Sequence, residues 1–83
     1  DRAADIELWP NPVTDRVHVR LPGGTIGRID LIDPQGRIVQ VTSGNGNDTV
    51  TLPLDLFQSG QYLIRIATSN GPVVRKLAIE HDR

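Results

Sequence analysis

Gln61-Tyr62-Leu63-Ile64-Arg65-Ile66-Ala67-Thr68-Ser69-Asn70-Gly71-Pro72-Val73-Val74-Arg75-Lys76-Leu77-Ala78-Ile79-Glu80 is the stretch that decides the fold. Its apolar residues recur with period two. Tyr62, Ile64 and Ile66 fall on one face of the first half. In the second half Val73, Arg75, Leu77 and Ile79 oppose Val74, Lys76 and Ala78. Period two is the signature of an extended strand with one face buried. Asn70-Gly71 between the halves is a hairpin signal, because both residues tolerate positive φ. The segment therefore reads as two antiparallel strands, Gln61 to Thr68 and Val73 to Glu80.

Working outward, the same reading recurs five times toward the N-terminus. The run Ile6 to Trp9 is stopped by Pro10-Asn11-Pro12. Val17 to Leu21 alternates, with His18 and Arg20 outward, and ends at Pro22-Gly23-Gly24. Gly27 to Asp33 sets Ile29 and Leu31 on one face. Asp33-Pro34-Gln35-Gly36 then turns the chain, with Pro where φ near −65° is wanted and Gly where φ is free to be positive. Arg37 to Thr42 places Val39 and Val41 on one face. Ser43 to Asp48 is a polar loop, and Thr49 to Leu54 sets Val50 and Leu52 inward. Asp55 to Gln58 leaves room for one helical turn. Seven short, half-polar strands predict an immunoglobulin-like antiparallel β-sandwich. Its expected core is Val17, Val19, Ile29, Leu31, Val39, Val41, Val50, Leu52, Tyr62, Ile64, Ile66, Leu77 and Ile79.

Composition narrows the function class. Eighty-three residues suffice for one domain, expected to fill 1–83 with 1–5 as a linker remnant and 81–83 as a tail. The only aromatics are Trp9, Phe57 and Tyr62, so the core must be aliphatic. Nine basic residues against ten acidic give a net charge of −1. A nucleic-acid or anionic-membrane binder would carry a basic excess. No apolar run approaches the ~20 residues of a membrane-spanning helix. The opening residues lack the features of a signal peptide. Without cysteine there is no disulfide, thiolate metal site or thiol nucleophile. A chain without an initiator Met is expected to be a segment of a longer precursor.

Sites of chemistry are sparse. No G-x-S-x-G elbow exists, and Ser43, Ser59 and Ser69 stand in turn contexts where serine is common. His18 falls on an outward strand face and His81 in the tail; both read as solvated side chains. Gly23 to Gly27 resembles a phosphate loop only loosely, since a strand follows it where a helix N-terminus is needed. Asn45 to Asp48 has calcium-friendly side chains without EF-hand spacing. Asn47-Asp48-Thr49 matches the N-glycosylation sequon. Trp9 has two readings, a plug of the core beside the proline corner or a platform for stacking a sugar, and the plug is favoured. These residues predict a non-catalytic module with no cofactor and no metal.

The order of the punctuation resembles a known family. Trp9-Pro10-Asn11-Pro12, Asp15 and the alternating Val17 and Val19 resemble the opening of the C-terminal sorting domains of the type IX secretion system. Ile29 to Arg37, with Asp33 and Gly36 at its turn, is similar to the family's strand-Asp-turn-Gly-strand segment. Leu54 to Phe57 is similar to its leucine-rich approach, Gly60-Gln61-Tyr62 to its G-x-Y strand, and Val74 to Ile79 to its terminal basic-then-apolar strand. The resemblance covers Ile6 to about Ile79. It departs in two places: Trp9 stands where the family more often has Tyr, which keeps the aromatic plug, and Glu80 to Arg83 run past the strand where many members stop.

The resemblance implies a signal and no enzyme. Such domains end secreted cargo proteins and address them to the outer-membrane translocon, and a surface sortase then cuts before the domain. The implied partners are translocon and sortase proteins and an N-terminal cargo domain. The implied location is the periplasm in transit, then the cell surface or the medium. The domain itself is expected to be monomeric, without nucleic acid or membrane insertion. It implies structural roles for Trp9, Pro10, Asn11, Pro12, Asp33, Gly36, Gly60 and Tyr62. A last strand is often an edge strand, open to a partner strand. Lys76, Leu77, Ile79 and Arg83 are therefore the expected recognition residues. The rival reading is a carbohydrate-binding or adhesion sandwich of a secreted enzyme.

Overall fold

A computed structural model of the chain describes residues 6–10 and 12–81. It contains β1 (Glu7–Trp9), β2 (Arg16–Arg20), β3 (Ile26–Ile32), β4 (Ile38–Ser43), β5 (Thr49–Pro53), β6 (Gly60–Thr68) and β7 (Gly71–Ile79). Each expected strand is present, its ends displaced by two residues or fewer. The strands form two antiparallel sheets, β1-β2-β5 and β4-β3-β6-β7. This is the predicted β-sandwich. Compared with a constant-type immunoglobulin domain, the fourth strand has moved to the second sheet. Among the described residues there is no helix; Leu54 to Phe57 closes as a turn, with Phe57 N–H donating to the Leu54 carbonyl at 3.2 Å.

The turns follow local chemistry. Asp33 Oδ1 accepts the Gln35 and Arg37 amides at 3.0 and 2.9 Å, and Gly36 takes φ +85°. The carboxylate thus replaces missing backbone partners, and Gly carries the left-handed residue. Asn45 (φ +54°) and Gly46 (φ +75°) make a primed turn, closed by Asn47 N–H to the Gly44 carbonyl at 3.0 Å. At the last hairpin the turn centres on Ser69-Asn70, because Thr68 pairs with Gly71. The expected Asn70-Gly71 centre is one residue off, and Gly71 (φ +112°) opens β7.

The core lies between the sheets. Val17, Val19, Ile29, Leu31, Leu52, Tyr62, Ile64, Ile66, Leu77 and Ile79 are buried as expected. Val50 is half-buried and packs against them. Ile6, Val13, Leu21, Ile26, Leu54 and Val73 complete the cluster.

Two readings are corrected. Val39 and Val41 are 37% and 56% exposed and are not core. The β3–β4 pairing shifts between Leu31↔Gln40 and Ile32↔Ile38, so Val39 is an extra, bulged residue. Val41 then faces outward opposite Asp30, and the inner positions fall to Gln40 and Thr42, opposite Leu31 and Ile29. Trp9 is 41% exposed and does not plug the core. It shares the outer face of β1 with Glu7, while Ile6 and Leu8 turn inward.

Candidate functional site

The candidate site is built on β7, an edge strand of the four-stranded sheet. All nine of its residues pair with β6, from Thr68↔Gly71 to Gly60↔Ile79. Val13 forms a parallel bridge beyond it: its N–H donates to the Ala78 carbonyl and its carbonyl accepts from Glu80 N–H, both at 2.8 Å. Ala78 and Glu80 therefore turn their backbone groups away from β6. Strand alternation gives the same outward direction to Lys76, Val74 and Pro72.

This edge is blunted at both ends. Pro72 has no N–H to offer. Arg75 Nη1 donates to the Val74 carbonyl at 3.1 Å. Val13 occupies the Ala78–Glu80 end. Among the described residues the gap between them centres on the Lys76 peptide. Such local masking limits promiscuous strand pairing.

The expected recognition residues separate here. Lys76 is exposed, but Leu77 and Ile79 are buried, and their backbones face β6. Their side chains are core residues and reach no partner while the domain is folded. Arg83 lies outside the described residues. The tail up to His81 is docked: its N–H donates to Ser59 Oγ at 3.1 Å and its ring nitrogen meets the Phe57 carbonyl. The solvated reading of His81 is thus corrected.

Several motif residues converge beside Lys76. A groove of about 410 Å³ runs from Lys76 and Leu63 past Gln61 and Tyr62 to Pro34, Asp33 and Gly36. Tyr62 buries its ring and its hydroxyl donates to the Gln58 carbonyl at 2.8 Å, as the amphipathic ring requires. The ring meets Phe57 edge-on, with centroids 6.4 Å apart. Gly60 lies outside the left-handed region, and a Cβ there would meet Tyr62 and Pro34 at 3.6 and 3.8 Å, ordinary contact. Pro10 and Pro12 lie near the other sheet with Trp9, and Asn11 lies outside the described residues.

Sequence reasoning missed an ionic cluster on the same face. Asp30, 4% exposed, accepts Arg28 Nε at 2.6 Å on one oxygen, and Arg65 Nε and Nη2 at 3.1 and 2.7 Å on the other. Burial alone would raise this carboxyl, but the bonds and charges of the two guanidinium groups outweigh it and hold it below the ordinary aspartate value. The Asp33 carboxyl is also lowered, chiefly by the Arg37 amide and against a smaller desolvation effect. Around the cluster, Ile38, Val41, Leu63 and Val74 remain exposed on a sheet face that alternation would make polar. Arg65, outward on β6 opposite Asp30, was the available signal, but the pairing is visible only once β3 and β6 are known neighbours.

The other flagged residues serve local structure. Ser43 and Ser69 hydroxyls accept the Asn45 and Thr25 amides at 3.2 and 3.0 Å. The solvated reading of His18 is likewise corrected: it is half-buried, shares a 2.9 Å hydrogen bond with Thr51 Oγ1 and lies against the tilted Trp9 ring.

Against known proteins, the sequence model of a family described as "Secretion system C-terminal sorting domain" matches residues 7–80. No curated protein matches the sequence.

Proposed function

From the premise that the chain belongs to the family of secretion system C-terminal sorting domains, we propose that it is a non-catalytic export signal read as a folded unit. Domains of this family direct attached cargo through the type IX machinery to the cell surface or beyond. On this reading the outer-membrane translocon recognises the gap in the β7 edge, and a surface sortase then removes the domain from its cargo. The observation that supports it is the isolation of the Lys76 peptide between the Pro72–Arg75 mask and the Val13 bridge, with an exposed ammonium above a groove. Backbone groups left open on an edge accept a strand, and a flanking cation selects its charge. Leu77 and Ile79 act by holding β7 in place, and Arg83 adds a second positive charge to the signal.

The test is a periplasmic reporter fused ahead of this domain, expressed in hosts with and without the translocon. Export is expected only in the first. Lys76→Ala with Arg83→Ala is expected to leave melting within a few degrees, because exposed charges contribute under about 1 kcal/mol, and to lower export. A double variant that folds and is exported at the unsubstituted level refutes the charge reading. Equal surface display in both hosts refutes the signal itself.

A further inference from the structure

The outer face of the other sheet carries a different constellation. Trp9, His18 and Thr51 stand in one row across β1, β2 and β5, because Trp9 pairs with His18 and His18 with Thr51. The His18–Thr51 bond fixes the imidazole. The indole lies against it with ring centroids 5.2 Å apart and planes inclined by 33°. The row therefore presents a supported aromatic surface to solvent. Thr51 also borders a cleft of about 270 Å³, shared with Asp15, Arg16, Pro53 and Asp55. Arg16 belongs to the same sheet face, next beyond His18 on β2. Its Nε stands 3.9 Å from Asp15 Oδ1, too far for a strong bond, and both side chains are 61% exposed. Apart from a long 3.4 Å bond that Asp15 Oδ1 accepts from the Thr14 hydroxyl, their side-chain polar groups face water.

We infer that this face binds a neutral saccharide chain, with one sugar unit against Trp9 and another, across His18, in the cleft beside Thr51. A sugar is amphipathic in the sense this surface requires. Its C–H face gains by leaving water against an indole, and its hydroxyls need donors and acceptors side by side, here Arg16, Thr51 and the two carboxylates. Two Asp against one Arg leave the cleft with a negative excess, which disfavours anionic glycans. The cleft falls just below the ~300–1,000 Å³ range of drug-sized ligand pockets, so it suits a single sugar unit of a longer chain. Binding is therefore weak per site, with a Kd on the order of 1 mM. The inference does not depend on the sorting role, which uses the β7 edge of the opposite sheet.

Trp9 is the only tryptophan in the chain, so its emission reports this face alone. The test titrates the full 83-residue chain with dextran, laminarin, mannan and xylan. It follows tryptophan emission and retardation in gels containing each polymer, with dextran sulfate as the anionic control. A saturable emission change and retardation by at least one neutral polymer are expected. Trp9→Ala is expected to abolish retardation, and Asp55→Asn with Arg16→Gln to weaken it about tenfold. Should Trp9→Ala fail to fold, the cleft pair, exposed and remote from the core, carries the test. No response to any neutral polymer, retardation unchanged in the cleft variant, or binding to dextran sulfate alone overturns the inference.

Discussion

Replacing Ile64 and Val41 separately by Ala tests both the core and the unexpected register of β4. Period-two reading places both residues inside, whereas the structure buries Ile64 completely and leaves Val41 56% exposed. Ile64 pairs with Leu31 on one side and Arg75 on the other, in the middle of the second sheet. Removing three of its carbons forfeits about 2.4 kcal/mol at roughly 0.8 per buried CH₂. A residual cavity of roughly 60 Å³ adds about 1.5 kcal/mol at ~24 cal/mol per Å³. The total, about 4 kcal/mol, is set against an overall stability on the order of 4–12 kcal/mol for a chain of this length. Val41 loses two carbons that are already half in water, about 0.8 kcal/mol at most. At roughly 4–8 °C per kcal/mol, the first substitution lowers Tm by about 16–32 °C and the second by about 6 °C or less. Urea unfolding followed by far-UV circular dichroism measures both. Equal losses, or a loss below about 0.5 kcal/mol for Ile64→Ala, refute the facing assigned to these strands.

Three further perturbations address the turns and charges. The Asp30 and Asp33 carboxyls are lowered in the folded state, so their stabilisation is complete above the unfolded value near 3.9 and is lost as pH falls through the folded values; Tm is expected to be flat from about pH 7 to 5 and to fall below about pH 4, with a shallower acid limb in Asp30→Asn. Gly44→Ala is expected to cost about 1–3 kcal/mol by overpacking, because a Cβ there would overlap the Ile26 carbonyl, and a neutral result in thermal unfolding would contradict that contact. Tyr62→Phe removes the bond to the Gln58 carbonyl and is expected to cost about 0.5–1.5 kcal/mol by denaturant titration.

The strands were legible because each buried face is written as a run of alternation, and the Asp33–Gly36 turn because its residue types have local reasons. What failed had non-local causes. The bulge at Val39 changes the parity of β4, and nothing in Ile38-Val39-Gln40-Val41-Thr42 marks where the extra residue falls. Val13 is fully buried without any flanking alternation; its place comes from a single bridge to β7. The demand for Gly44 arises from a strand eighteen residues earlier. Trp9 is a different kind of failure. Its position in Ile6-Glu7-Leu8-Trp9 already places it with Glu7, against Ile6 and Leu8, and the neighbouring Pro10-Asn11-Pro12 corner does not change that parity. Of the expected site residues, Lys76 was legible as an outward cation. Leu77 and Ile79 belong to the core by the same alternation that drew attention to the strand.

That division bears on how a fold can serve as a signal. A strand edge open along its whole length would pair with other copies of the chain and with unrelated strands in transit. An edge masked throughout could not be read. On β7 the two masks have different chemistry. The Pro72 and Arg75 mask is local to the strand, while the Val13 bridge is made by the β1–β2 connection and exists only when both sheets have come together. The gap at Lys76 is therefore defined at its C-terminal side by tertiary structure. On the proposed reading, loosening the Val13 bridge lengthens the open edge without touching Lys76, so Val13→Gly would preserve the recognition charge and lose its frame. If export tracked the charge alone, such a variant, at a temperature where it remains folded, would be exported like the unsubstituted chain. If the framed edge is what is read, it is exported less and self-associates more, and sedimentation of the purified domain beside the export assay separates the two.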